Sequence, residues 1–88
     1  MGQVAVVFRL MPTGVETDMN ALAQGARAAI PTGVTVRGMQ VKDIAFGLKS
    51  LLLAVVMADT GGVLETTERA LAKVPHVESV EIMEQGLV

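Results

Sequence analysis

The sequence predicts an α+β sandwich of order β-α-β-β-α-β, a four-stranded antiparallel sheet with two helices on one face. Three observations predict it. Segments of period two alternate with segments of helical period in that order. Each helical segment runs into a proline, at Pro31 and at Pro75, where a missing N–H stops the helix. The chain has 88 residues, 51% hydrophobic and 18% charged. That supports one folded domain, residues 1–88, and no second core.

Val4 to Met11 reads as the first strand. Val4, Val6, Phe8 and Leu10 share one face, and Ala5, Val7, Arg9 and Met11 the other. Both faces are largely apolar, as in an interior strand. Pro12-Thr13-Gly14 turns the chain. Thr17 is expected to cap the first helix, with Asp18 at the positive end of its dipole. Met19, Leu22, Ala23, Ala26 and Ile30 form its apolar stripe, while Gln24, Arg27 and Ala28 face elsewhere.

Val34 to Lys42 alternates less cleanly, with Val34 and Val36 on one face and Met39 and Val41 on the other. It is expected as an edge strand in which Gly38 marks a bulge that switches the facing. Leu48 to Ala58 is expected as a long buried strand. A helix over Leu51–Ala58 would be apolar on every face, and its short length and Val55-Val56 decide for strand. Gly62 or Thr60 can cap the second helix, whose inner face carries Val63, Thr67, Ala70, Leu71 and Val74. Val77 to Met83 is the last strand, with Val80 and Ile82 inward and Ser79, Glu81 and Met83 outward. Each helix links two strands, and right-handed crossovers put both helices on one face. This is the ferredoxin-like arrangement.

Composition excludes several chemistries. There is no cysteine, so disulfides, thiolate metal sites and a thiol nucleophile are absent together. His76 is the one histidine, and Ser50 and Ser79 are the only serines. A Ser-His-Asp hydrolase has almost nothing to work with. Net charge is −2, with four basic and three acidic residues up to residue 44, then three basic and six acidic. No basic stripe offers itself to a nucleic acid. Without Trp or Tyr, and with only Phe8 and Phe46, base-stacking platforms are missing too. The longest apolar run, Leu51 to Ala58, is far short of the roughly 20 residues of a membrane helix. The expectation is a cytoplasmic protein with no cofactor, no direct nucleic-acid contact and no membrane contact.

The fold itself proves no function. Metal-carrying versions need a cysteine pair in the first loop, and RNA-recognition versions need aromatics on the central strands; both are missing. A small-molecule-sensing regulatory module stays open, as does an enzyme using Glu or Asp alone. Asp59-Thr60-Gly61-Gly62 before a helix is read as a plain turn rather than an anion site, His76 as a surface side chain, and the scattered methionines as core filling. The segment from Lys42 to Leu51 differs, because it holds Ile44 and Phe46 between two strands, where a surface loop is expected. An exposed apolar tip there would mark a partner site. The other reading folds Phe46 back under the sheet, and the pattern alone leaves both standing.

Ile44-Ala45-Phe46-Gly47-Leu48-Lys49-Ser50-Leu51 resembles the Ile-Ala-Phe-Gly-(Leu/Ile)-x-x-Leu segment of the translation elongation factor 1-beta family. Leu10-Met11-Pro12 is similar to the Val-Met-Pro that ends the family's opening strand. Ile30-Pro31-Thr32-Gly33 is similar to its Ile-Pro-x-Gly, and Val77-Glu78-Ser79-Val80-Glu81-Ile82 to its Val-x-Ser-Val-(Asp/Glu)-(Ile/Val). The resemblance spans essentially the whole chain and is to the free-standing archaeal type.

The resemblance implies a guanine nucleotide exchange factor for the GTPase elongation factor 1-alpha, acting without covalent chemistry. It implies partner binding by Ile44, Ala45, Phe46 and Gly47, with Phe46 as an aromatic anchor. It also implies action on the magnesium and phosphate region by Gly86, Leu87 and Val88. One departure matters. Eukaryotic relatives place a lysine next to last, whereas Leu87 stands here and no cation follows Lys73. The tail is therefore expected to act by shape, and its removal to leave folding nearly untouched. The oligomeric state is left open.

Overall fold

The computed structural model describes residues 2–88; residue 1 of the domain expected over 1–88 lies outside it. The elements are β1 (Gln3–Pro12), α1 (Met19–Ala29), β2 (Thr35–Ala45), β3 (Leu48–Ala58), α2 (Val63–Ala72) and β4 (Val77–Leu87). The strands form one sheet of order β2-β3-β1-β4, antiparallel throughout. The α+β order expected from periodicity is the order observed, and Leu51–Ala58 is strand.

β1 and β3 are the central strands, and their helix-side residues are buried while most of those on the other face are only partly so. Their register sets Val6 opposite Val55, Phe8 opposite Leu53 and Leu10 opposite Leu51. These pairs, with Val4 and Met57, form the sheet side of the core. Leu22 and Ala26 of α1 and Leu71 of α2 close it from the other layer. The remaining helix-stripe residues Met19, Ala23, Ile30 and Val63 pack around its margin. Both helices therefore cover the same face, the one carrying the even-numbered residues of β1.

Local chemistry explains the helix ends. Asp18, not Thr17, caps α1: its Oδ1 accepts from the backbone N–H of Asn20 at 2.9 Å and of Ala21 at 3.3 Å. A carboxylate at the cap meets both the unpaired donors and the positive end of the dipole, which a hydroxyl does only in part. α2 starts at Gly62, whose φ of +88° favours glycine and gives no side-chain cap. Thr60 does not serve. Thr67, fully buried on α2, turns its hydroxyl onto the Val63 carbonyl at 2.8 Å, so no buried donor is left over.

Two strands depart from simple alternation. In β2, Val36 pairs with Val55 and Gly38 with Ala54, so Arg37 is an extra residue. The bulge expected at Gly38 thus falls one residue earlier, and it switches the facing as anticipated. Met39 and Val41, opposite Leu53 and Leu51, join Val36 on the helix side.

In β4, Ile82 pairs with Phe8 and Glu84 with Val7, so Met83 is the extra residue. Beyond it the strand continues to Leu87, four residues past the expected end at Met83. Gln3 to Val7 of β1 would otherwise leave its outward N–H and C=O groups unpaired, and backbone groups seek partners. Val80 and Ile82 do face the helix side, where Val80 packs against the core and Ile82 is exposed. Met83 is exposed as well, so it is not core filling.

Candidate functional site

The segment Lys42–Leu51 is not a loop. β2 runs to Ala45, Ala45 pairs with Leu48, and only Phe46 and Gly47 turn the chain. Both have positive φ, 54° and 80°. That is the mark of the type I′ turn, whose twist matches that of the flanking strands. Gly47 takes this conformation freely. Phe46 takes it against the clash of its own Cβ, and an aromatic residue with positive φ points to function where structure alone would place Asn or Gly.

Phe46 is fully exposed, which decides between the two sequence readings. It does not fold under the sheet. Ile44 is the extra residue of a further register shift, between Asp43 and Ala45, and it is also exposed. Two residues not among the expected site residues join them at this end. Val41 of β2 and Val15 of the β1–α1 connection are both exposed, and with Thr17 and Lys49 they border a depression of about 330 Å³. Val15 carried no sequence signal beyond being an apolar residue in a turn.

Gly86, Leu87 and Val88 lie at the opposite end. Leu87 pairs with Val4 and Gly86 with Ala5, and the N–H of Val88 donates to the Gln3 carbonyl at 2.9 Å. The tail is thus the end of β4 and not a free extension. The expectation that its loss leaves folding untouched is corrected accordingly. Its side chains remain available, with Leu87 77% and Val88 76% exposed.

The structure therefore does not bring the two sets of candidate residues together. Leu48 borders the Phe46 turn, while Val4 and its partner Met57 lie level with Leu87. Nine residue steps of β3 separate the two levels, about 30 Å at the usual strand rise. The molecule extends 43 Å along its long axis against 20 and 17 Å across it. Exposed large apolar side chains divide between the two regions: Val15, Val41, Ile44 and Phe46 around the hairpin, and Ile82, Met83, Leu87 and Val88 along β4.

Between these regions the face away from the helices is partly exposed. Its middle carries Val7, Leu52, Ala54 and Val56, and Arg9 there pairs with Glu81 across the strands at 2.6 Å. His76 is exposed at the α2–β4 corner, as read from sequence. Among the described residues no three His, Cys, Asp or Glu side chains converge as a metal site would require. No helix among them is long and apolar enough to cross a membrane.

Residues 5–88 match the family described as the EF-1 guanine nucleotide exchange domain. The elongation factor 1-beta of Methanococcoides burtonii is 43% identical, the match covering 98% of this chain and 97% of the relative. That of Methanoculleus marisnigri is 42% identical over the full length of both. That of Haloarcula marismortui is 37% identical over 98% of each. In fold alone, the chain is similar to the C-terminal domain of the MgtC protein from Mycobacterium tuberculosis, with a TM-score of 0.54 at 19% identity over 100% of this chain and 88% of that one. The Phe46 hairpin and the β4 end thus belong to a protein of known kind: the chain is a member of the elongation factor 1-beta family of guanine nucleotide exchange domains.

Proposed function

We propose that this chain promotes replacement of GDP by GTP on elongation factor 1-alpha during translation elongation, and that it does so with no covalent bond made or broken on the factor. Family membership supports the activity. The observation that carries the assignment of residues is the separation of two exposed apolar ends by a stiff sheet. Ile44, Ala45, Phe46 and Gly47 dock on one part of the GTPase. Gly86, Leu87 and Val88 reach the nucleotide site about 30 Å away. A rigid long axis lets an 88-residue domain hold two distant contacts on a larger partner at a fixed spacing, and paired β-strands supply that rigidity.

The physics is linkage. A factor that weakens nucleotide binding is itself bound less tightly by the nucleotide-loaded GTPase, by the same ratio. Docking energy from Phe46 holds the complex while the tail disfavours the nucleotide. No cation follows Lys73, so the tail cannot repel the magnesium ion by charge. Leu87 and Val88 act by occupying space and by displacing a segment that holds the ion or the phosphates.

The test is release of labelled GDP from the cognate GTPase at saturating factor, over a range of magnesium concentrations. Wild type accelerates release. Phe46→Ala raises the factor concentration required and leaves the plateau rate unchanged. Deletion of Gly86-Leu87-Val88 lowers the plateau. A plateau unaffected by the deletion removes the tail from the mechanism.

A further inference from the structure

Gly14-Val15-Glu16-Thr17 folds as a β-turn, closed by the Thr17 N–H donating to the Gly14 carbonyl at 3.3 Å. Val15 and Glu16 form its tip. Turn tips favour proline, glycine or a short polar residue, each for a backbone reason. Val15 is none of these and is 59% exposed, so neither the turn nor the core accounts for it. The turn is held on both sides. Before it the Thr13 N–H donates to the His76 carbonyl at 3.0 Å, and after it Asp18 caps α1. A segment fixed in this way loses little freedom when a partner covers it.

The ladder places this turn beside the Phe46 hairpin. Leu10 pairs with Leu51 and Leu51 with Val41, so β1 leaves the sheet at the end where β2 and β3 turn. Val41 shares the helix side with Leu51, and with Val15 it borders the depression of about 330 Å³ at this end, where Thr17, Asn20 and Lys49 supply polar groups. Leu51 and Leu48 are three residue steps apart, so Val41 stands about 10 Å from the base of the Phe46 turn. Two turns at one end of the sheet thus each hold an exposed apolar residue where the backbone favours another type, and Val41 is exposed beside them.

Area decides what covers these residues. An aromatic side chain buries about 200 Å², a quarter of the about 800 Å² per partner of a standard interface. Phe46 therefore makes only part of a docking surface. A patch of about 800 Å² is about 30 Å across, and one that includes Phe46 takes in Val41 and the depression that Val41 shares with Val15. Interfaces combine an apolar centre with a polar rim. Val15, Val41, Ile44 and Phe46 supply the first, and the polar groups of the depression supply the second.

We propose, on the reading that this end docks on elongation factor 1-alpha, that Val15 and Val41 are contact residues for that GTPase and form one surface with Phe46. The β1–α1 turn is then a second arm of the docking site, separate in sequence from the β2–β3 hairpin and continuous with it in space.

The test is calorimetric titration of nucleotide-free elongation factor 1-alpha with the full chain and its variants. Val15→Asp sets a carboxylate against an apolar surface and is expected to bind about 10-fold more weakly. Val41→Thr keeps the branched shape that suits a strand and adds a hydroxyl, with a loss of about 3-fold. Val15→Ile keeps an apolar tip and binds within about twofold of wild type. Phe46→Ala is measured beside them. Thermal melting checks that each variant is folded, and Val15→Ser replaces Val15→Asp should that one unfold. A folded Val15 or Val41 variant of the polar kind that binds as tightly as wild type overturns the proposal. If Phe46→Ala still binds weakly in that case, the hairpin docks alone and the reading of Phe46 stands; the same result is expected if a different protein covers the Val15 turn. Val15→Ile binding as weakly as Val15→Asp also overturns it, because apolar contact is then not what Val15 supplies. Weak binding by both polar variants with Phe46→Ala unchanged keeps Val15 and Val41 as contacts and removes Phe46 as the anchor.

Discussion

The backbone N–H of Val88 donates to the carbonyl of Gln3 at 2.9 Å, which makes the residues assigned to exchange part of the sheet that carries them. The side chains of this tail are mostly in solvent while its backbone is bound to β1. The two parts answer to different substitutions. Leu87→Ala removes apolar surface that is already exposed and is expected to change stability by less than about 0.5 kcal/mol. The same substitution is expected to slow GDP release. Deleting Gly86-Leu87-Val88 also strips ladder bonds from β1 and costs about 1–3 kcal/mol. Urea denaturation read beside the GDP-release plateau separates the two effects.

Phe46 presents the reverse case, a side chain with no packing partner and a backbone that resists its conformation. Phe46→Asn supplies a residue that accepts positive φ and builds the favoured Asn-Gly turn. The variant is expected to melt at or above the wild-type temperature while binding nucleotide-free GTPase at least about 30-fold more weakly, the loss usual for an aromatic anchor. Calorimetric melting and titration of the same samples check both. A variant that melts lower, or one that binds unchanged, contradicts this account of the hairpin.

Gly25 and Val74 hold α1 against the α2–β4 connection. A Cβ on Gly25 would lie 2.8 Å from Val74 Cγ1, and Val74 is buried and cannot retreat freely. In a helix interior Ala is favoured over Gly by about 1 kcal/mol, but forcing a methyl into a packed site costs about 1–3 kcal/mol. Gly25→Ala is therefore expected to destabilise by about 1 kcal/mol. In a Val74→Ala background the clash is gone, and the same change should stabilise by about 1 kcal/mol. The reversal of sign is read from a double-mutant cycle in urea.

The Arg9–Glu81 pair is partly open to water, with side chains 31% and 48% exposed, and both Nε and Nη2 of Arg9 donate to the same carboxylate oxygen. Solvent screens such a pair, so Glu81→Gln should cost less than about 1 kcal/mol. The difference should shrink as salt is raised to about 1 M, where the screening length falls to about 3 Å. A larger, salt-independent loss would mean that packing and not charge is at stake.

The order of elements and the inward faces of β1, β3 and both helices were legible in the sequence. So were the edge position of β2 and the presence of its bulge. Periodicity is a local property: Val6, Phe8 and Leu10 point one way because successive strand residues alternate, and Leu22 and Ala26 share a stripe because a helix turns every 3.6 residues. Ile44 and Phe46 stood out as an apolar pair between two strands, whereas Gly86, Leu87 and Val88 were legible as candidates only through the resemblance to a family.

Other features depended on which strands are neighbours, and only the tertiary structure decided those. β4 runs on past Met83 because β1 has backbone groups to pair there, although Glu84-Gln85-Gly86 carries no apolar pattern of its own. Phe46 is exposed because β2 and β3 pair up to Ala45 and Leu48, leaving two residues to turn. The distance between Phe46 and Leu87 follows from register, which is summed across strands far apart in the chain. A stretch of sequence states which way its own side chains alternate. Hydrogen bonding to a neighbour decides where that stretch begins, ends and stands relative to the rest.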